Sequence, residues 1–373
     1  MSGNDQPARG RRGGLHIAEV AALAGVSIAT VSRALANPER VSAKTRAHVL
    51  EIVRRTGYTP NVAGRSLRAA RSRMVLVVVP TFITPFFSDL LLGVDRALTE
   101  RGHGLLIGNL HDGAAKEQAL VELVRAGQAD GVLLLNGHIL RGSTGSLADS
   151  GVPMVAVSVP PAVVGLPAVL VAERQGAIAV ARHLLELGHR SFGYVTGPEG
   201  SYIEAERWAG FHDTLTAAGI ASASIVRYPG DFHVRTGHAA GEAYLRQARR
   251  PSAIFAASDM MAIGFMRAVH AAGLSVPGDV SVAGFDGIEF ADYCEPPLTT
   301  VRQPREAMGR AAAELLFRLL SGEPIPPEDR RITLPVDLRT AASTAAPNVS
   351  RARGRAGPPR TAGESGHSRA RWS

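Results

Sequence analysis

The sequence predicts two folds in one chain. The first is a small all-α helix-turn-helix domain. The second is an α/β body of two doubly wound parallel-sheet subdomains. Three observations carry this reading. Residues 17–58 hold only helix-patterned segments punctuated by capping residues and glycines. From Met74 onward, short continuous apolar runs alternate with amphipathic helical stretches, the mark of βαβ units. The alternating region spans roughly 270 residues, more than one typical domain, so it divides into two subdomains with a cleft between them.

In the helical domain, Ile17, Val20, Ala21 and Ala24 fall at i, i+3, i+4 and i+7, one face of a first helix. Gly25 can take the left-handed conformation that ends it, and Ser27 can cap a second helix. Val20, Ala21, Val26, Val31 and Leu35 would pin the two together. A third helix should start at an N-cap Ser42 and end at Gly57, and Pro60 marks a boundary. Two short helices joined at a glycine follow the logic of a DNA-binding helix-turn-helix. The second helix offers Ser27, Ile28, Ala29, Thr30, Ser32 and Arg33 along its N-terminal half and outer face. Its N-terminus suits a phosphate, and its side chains can reach base edges in the major groove.

Charge supports a polyanionic partner. Residues 1–68 carry eleven Lys/Arg against four Asp/Glu, and residues 343–373 carry six Arg against one Glu. The intervening body holds 24 basic and 28 acidic residues, so the net charge of +8 sits at the two ends. A basic module points to nucleic acid or an anionic surface.

In the body, "MVLVVVP" (Met74–Pro80) reads as a strand buried on both faces, and "GLLIGN", "DGVLLLNG", "VPMVAVS", "FGYVTG", "SAIFAAS" and "VSVAGFD" repeat the pattern. Helical segments such as "DLLLGVDRALTERG", "EQALVELVRAG", "AIAVARHLLELG" and "MMAIGFMRAVHAAG" separate most of them. The expected organisation is a flexible arm (1–14), the helix-turn-helix domain (15–59), a hinge and linker (60–71), the two-subdomain body (72–342) and a disordered basic tail (343–373).

Other classes find little support. The single cysteine, Cys294, allows no intramolecular disulfide and fits a reducing compartment. No apolar run approaches the ~20 residues that span a bilayer, so no membrane partner is expected. The polar start, "MSGNDQPARGRRGG", is unlike a secretory signal, and a cytoplasmic location is expected. There is no GxSxG elbow, GxxxxGK[ST] phosphate loop or HExxH, so neither an enzyme, a cofactor nor a metal is expected. His183 and His189 lie six apart, poor spacing for a metal, and read as helix-end residues. A solute-binding protein or α/β enzyme of similar fold is the alternative. It would account for the body but leave residues 15–71 without a role.

Several blocks in order, "IAEVAALAGVSIATVSRALAN", "VSAKTRAHVLEIVRRTGYTPNVAGRSL", "AASDMMAIGFMRAVHAAGLSVPGDVSVAGFDG" and "PPLTTVRQP", make the chain resemble the LacI/GalR family of bacterial transcription regulators over residues 15–340. The resemblance implies a homodimer on double-stranded, pseudo-palindromic operator DNA, with a periplasmic-binding-protein-like body that takes a small-molecule effector, sugar-like in class. On this reading Ile28, Ala29 and Arg33 choose the operator, while Ser27, Thr30 and Ser32 contact phosphates. "NVAGRSLR" matches the family's hinge helix, with Asn61 and Arg65 on DNA and Leu67 as a minor-groove wedge. Gly64 replaces the usual alanine there, at a cost of about 0.5–1 kcal/mol of helix stability. The positions matching effector contacts are Phe86, Phe87, Ser158, Arg207, Phe232, Ser258, Asp259, Asp286 and Gln303. Two departures stand out: Ser158 where relatives usually carry an aspartate, and Ala172–Glu173 where an Asp–Asn pair is usual.

Overall fold

A computed structural model describes residues 16–58, 72–81, 84–110, 113–143, 145–159 and 165–348. The chain divides into two compact units at Ser72/Arg73.

The first unit holds α1 (Ile17–Ala24), α2 (Ile28–Ala36) and α3 (Ala43–Thr56). The punctuation falls where the sequence puts it. Gly25 closes α1 at φ 60°, a conformation that costs a residue with a Cβ. The Ser27 hydroxyl accepts the Thr30 amide to cap α2, and Ser42 accepts the Thr45 amide to cap α3. Gly57 ends α3 in the left-handed region. Val20, Ala21, Ala24, Val31, Ala34, Val49, Ile52 and Tyr58 form the core, and Val26 and Leu35 pack against it.

The second unit contains strands β1 (Met74–Val79), β2 (Gly104–Asn109), β3 (Gly131–Leu134), β4 (Met154–Val157), β5 (Ala168–Val171), β6 (Phe192–Val195), β7 (Val226–Tyr228), β8 (Ala253–Ala256), β9 (Ser281–Asp286), β10 (Thr299–Arg302), β11 (Arg331–Leu334) and β12 (Asp337–Arg339). Its helices are α4 (Phe86–Glu100), α5 (Ala114–Arg125), α6 (Glu173–Glu186), α7 (Tyr202–Ala217), α8 (Val234–Leu245), α9 (Asp259–Ala271), the short α10 (Phe290–Tyr293) and α11 (Arg305–Leu320). One sheet runs β11-β5-β4-β3-β1-β2 and is parallel throughout. The other runs β12-β10-β9-β8-β6-β7, parallel except for β12, which pairs antiparallel with β10. Strands β3, β4, β5, β6, β8 and β9 are buried along their whole length, which is why they read as unbroken apolar runs rather than alternating ones.

The chain crosses between the two lobes three times. Ala172 separates β5 from α6, Gln303 and Pro304 separate β10 from α11, and Pro335 and Val336 separate β11 from β12. Helix α11 returns to the first lobe, where it lies on α4. Added Cβ atoms at Gly93 and at Gly309 would each stand 2.1 Å from the backbone oxygen of Glu306 and Leu90 respectively, so only glycine permits this approach.

The body does not stop at residue 342. Ser343 is fully buried, its hydroxyl donating to the Val282 carbonyl and accepting the Thr299 amide. Thr344 bonds His183, and the Ala345 carbonyl lies 2.9 Å from His189 Nε2. The small, uncharged "AASTAAP" segment therefore belongs to the second lobe. Polar small residues read as disordered in the sequence because their partners lie more than 40 positions away. His183 and His189 anchor this segment, and burial lowers the pKa of both. The rest of the basic tail, from residue 349, the arm and the 60–71 hinge lie outside the described residues.

Candidate functional site: a recognition helix and an interlobe cleft

Each unit carries one candidate surface. On α2, Val31 and Ala34 face the core, which turns Ile28, Ala29 and Arg33 outward; Ile28 is 46% exposed. Arg33 lies along the helix, Nε donating to the Ala29 carbonyl at 3.2 Å. Ser27 and Thr30 bond each other through their hydroxyls at 2.8 Å and order the first turn. Ser32 is half-buried. The helix thus presents one large and one small apolar side chain, Ile28 and Ala29, and one guanidinium on a capped N-terminal half. Asn61, Arg65 and Leu67 lie outside the described residues.

In the body, a cleft of about 1010 Å³ opens between the two lobes at the carboxyl ends of the strands. The first lobe supplies Thr84, Phe86, Phe87, Asn136 and Ser158, and the second supplies Glu173, Glu204, Arg207, Trp208, Phe232 and Asp286. Phe86 and Phe87 meet edge to face at 5.3 Å between centroids. Three of the four non-glycine residues with positive φ among the described residues, Ser158, Phe232 and Asp286, line this cleft. Backbone held in that region costs about 1–3 kcal/mol per residue and concentrates at working sites.

Arg207 organises the floor. Its Nε donates to Glu173 Oε2 at 2.7 Å, and Nη1 donates to the Ala257 carbonyl and, at 3.4 Å, to Asp286 Oδ1. Its guanidinium lies 3.7 Å from the centroid of Phe285. The Arg207 and Glu173 side chains are only 4% and 5% exposed. Burial raises the Glu173 pKa against the pull of Arg207, and burial lifts that of Asp286 to about 6. Gln303 Nε2 donates to Asp286 Oδ1 at 2.8 Å. Arg305 donates to the Asp286 carbonyl and to Asp89 on α4, so it ties the two lobes together behind the cleft.

Six of the nine residues expected to contact an effector line the cleft: Phe86, Phe87, Ser158, Arg207, Phe232 and Asp286. Ser258, Asp259 and Gln303 do not. Ser258 caps α9 by accepting the Met261 amide. Asp259 is fully buried, accepting from the Thr300 hydroxyl and the Ile288 amide, and so holds the turn that follows Asp286. Gln303 sits behind Asp286 and orients it. These three support the site from beneath because a strand end can present only its last residues to the crevice. Glu173 and Trp208 do line it. The sequence signals Glu173 by its place after the buried run of β5, and Trp208 by adjoining Arg207.

A capped helix-turn-helix head and a two-lobed body with a strand-end cleft define a DNA-binding regulator with a periplasmic-binding-protein-like effector domain. The comparisons agree. Residues 16–61 match the family of bacterial regulatory proteins called the lacI family, and residues 181–344 match the periplasmic binding protein-like domain. The chain is 35% identical over 305 residues to the HTH-type transcriptional repressor CytR of Escherichia coli (strain K12), covering 82% of this chain and 89% of that one. It is 38% identical over 320 residues to the HTH-type transcriptional regulator CelR of Thermobifida fusca, covering 83% and 92%. Among solved structures, the lac repressor dimer bound to operator and the anti-inducer ONPF matches with a TM-score of 0.78 at 26% identity, over 89% of this chain and 99% of that one. A CelR–cellobiose complex matches with a TM-score of 0.65 at 33% identity, over 88% and 99%. The chain belongs to the lacI family. It is a DNA-binding transcriptional regulator, not an enzyme.

Proposed function

We propose that this regulator is a repressor that binds a pseudo-palindromic operator as a homodimer inside the cell, its affinity set by a small polyhydroxylated molecule held in the interlobe cleft. The observation that carries the effector reading is the cleft itself. It combines aromatic faces for ring carbons with buried, fixed Arg207 and Asp286 for hydroxyls, the composition of a sugar-type site. The three short crossings let a bound molecule favour one arrangement of the lobes over another. The CelR–cellobiose and lac repressor–operator structures supply parallels for ligand and DNA.

On α2, Ile28 and Ala29 would read thymine methyls and groove shape, and Arg33 would donate to a guanine or a phosphate. Ser27, Thr30 and Ser32 would position the helix on the backbone. Asn61, Arg65 and Leu67 would engage the DNA at the hinge. The test is selection of genomic fragments bound by the full chain, followed by titration of the recovered operator with sugars and nucleosides. Two-fold symmetric half-sites, and an affinity that changes with one such compound, are expected. Asymmetric single sites would remove the dimer from the reading, and an affinity unmoved by any small molecule would remove the effector.

A further inference from the structure

We propose that Glu173 sets the charge selectivity of the cleft: by occupying Arg207 it makes the site take an uncharged or cationic, donor-rich ligand and refuse phosphorylated or carboxylated ones. The inference rests on the cleft being the effector site and names the class of molecule it takes.

Five carboxylates line the cleft among the described residues, against two guanidinium groups, Arg207 and Arg227. Each guanidinium group already faces a carboxylate that offsets its charge. Arg207 is committed to Glu173, Asp286 and the Ala257 carbonyl. Arg227 lies over Trp208, 4.6 Å from the ring centroid, with Nη2 3.9 Å from Glu204 Oε1. An anion entering here would meet an excess of negative charge in a partly desolvated space, where Coulomb terms are strong.

The unsatisfied atoms point the same way. Glu204 is 7% exposed; its Oε2 accepts from the Tyr194 hydroxyl and the Gly197 amide, while Oε1 has no hydrogen-bond partner among the described residues. Asn136 Oδ1 and Thr84 Oγ1, on the facing lobe, are buried and likewise without one. Both carbonyl-type oxygens can only accept. A ligand hydroxyl or amine would satisfy them, whereas a phosphate dianion has no hydrogen to give. Arg207 would serve such a ligand through Nη2, which makes none of the three bonds above.

The experiment uses the full chain carrying Trp372→Phe, so that Trp208, in the cleft wall, is the one tryptophan and its emission reports occupancy. The first probe is inorganic phosphate at constant ionic strength. Wild-type emission should not change, while Glu173→Gln, which frees Arg207, should show saturable binding tighter by about tenfold or more. The second probe is a set of matched pairs: mono- and disaccharides (cellobiose among them) and nucleosides, each with its monophosphate. Every binding pair should favour the uncharged member by about tenfold or more. Saturable phosphate binding by the wild type, a pair that favours the phosphate, or a Glu173→Gln variant indifferent to phosphate would each overturn the assignment. Silence from every sugar and nucleoside, with the phosphate contrast intact, would leave the charge rule standing and remove the sugar-type effector. The matched pairs need no change at Glu173, so they decide the question even if Glu173→Gln does not fold.

Discussion

Replacing Arg207 with alanine should damage the body itself as well as its response to a ligand. The guanidinium is buried and faces two buried carboxylates, Glu173 and Asp286. Removing one member of such a cluster leaves uncompensated charge, at a cost of about 3–5 kcal/mol. For a body of this size that corresponds to a fall in Tm of about 10 °C. The loss should depend on pH, with a sign fixed by the carboxylates. Burial already raises the folded-state pKa of both, and without Arg207 both must rise further. A raised carboxylate pKa destabilises the fold above the folded value and has no effect below the unfolded one. The gap between Arg207→Ala and wild type should therefore be widest above pH 7 and narrow as pH falls through about 6 toward the ordinary carboxylate range. Thermal melts followed by circular dichroism at pH 5, 6, 7 and 8 measure it. A variant melting within 2 °C of wild type at pH 7, or a gap that widens in acid, would refute the argument.

Three more outcomes are expected. With Asp286 titrating near pH 6, a hydroxylated effector that donates to its carboxylate should bind more tightly as pH rises through that value, and Asp286→Asn should flatten the profile in calorimetry. A chain ending at Ala342 loses the buried Ser343 and strands the Thr299 amide, at roughly 1–3 kcal/mol per stranded group, whereas one ending at Asn348 should melt like the full chain; equal melting of the two would deny the segment a structural part. Varying Ile28 and Ala29 together should return a different half-site in binding-site selection, while Arg33→Ala should cost about 1–3 kcal/mol at one guanine; an unchanged half-site from the double variant would move the reading face elsewhere on α2.

Local chemistry was the legible part. Caps at Ser27 and Ser42 and the turn at Gly25 depend on residues within four positions, so the sequence displays them directly. Strands buried on both faces betray themselves by composition alone. The edge strand β11 alternates in burial over four residues and β12 is only three residues long, and nothing local marks them. Arg207 and Asp286 could be found in advance, but not what Arg207 is bonded to. Its partners Glu173 and Ala257 lie 34 and 50 positions away. The distinction between Asp286, at the cleft, and Gln303, just behind it, is a matter of one layer of side chains. Ser343 escaped notice for the same reason: a small polar residue looks like linker until the amide it accepts is known.

The order in which the lobes draw on the chain sets a timetable for synthesis. All the parallel strands of the second lobe lie between residues 192 and 302, one uninterrupted stretch. The first lobe, though it begins earlier, borrows α11 and β11 from residues 305–334. While the ribosome is still making the second lobe, β5 has an unpaired edge and the apolar face of α4 around Leu90 and Val94 has no cover. Such surfaces are the ones that attract stray pairing and chaperones. The lobe translated first is thus the one completed late, and its exposed interval lengthens with every residue inserted into its neighbour.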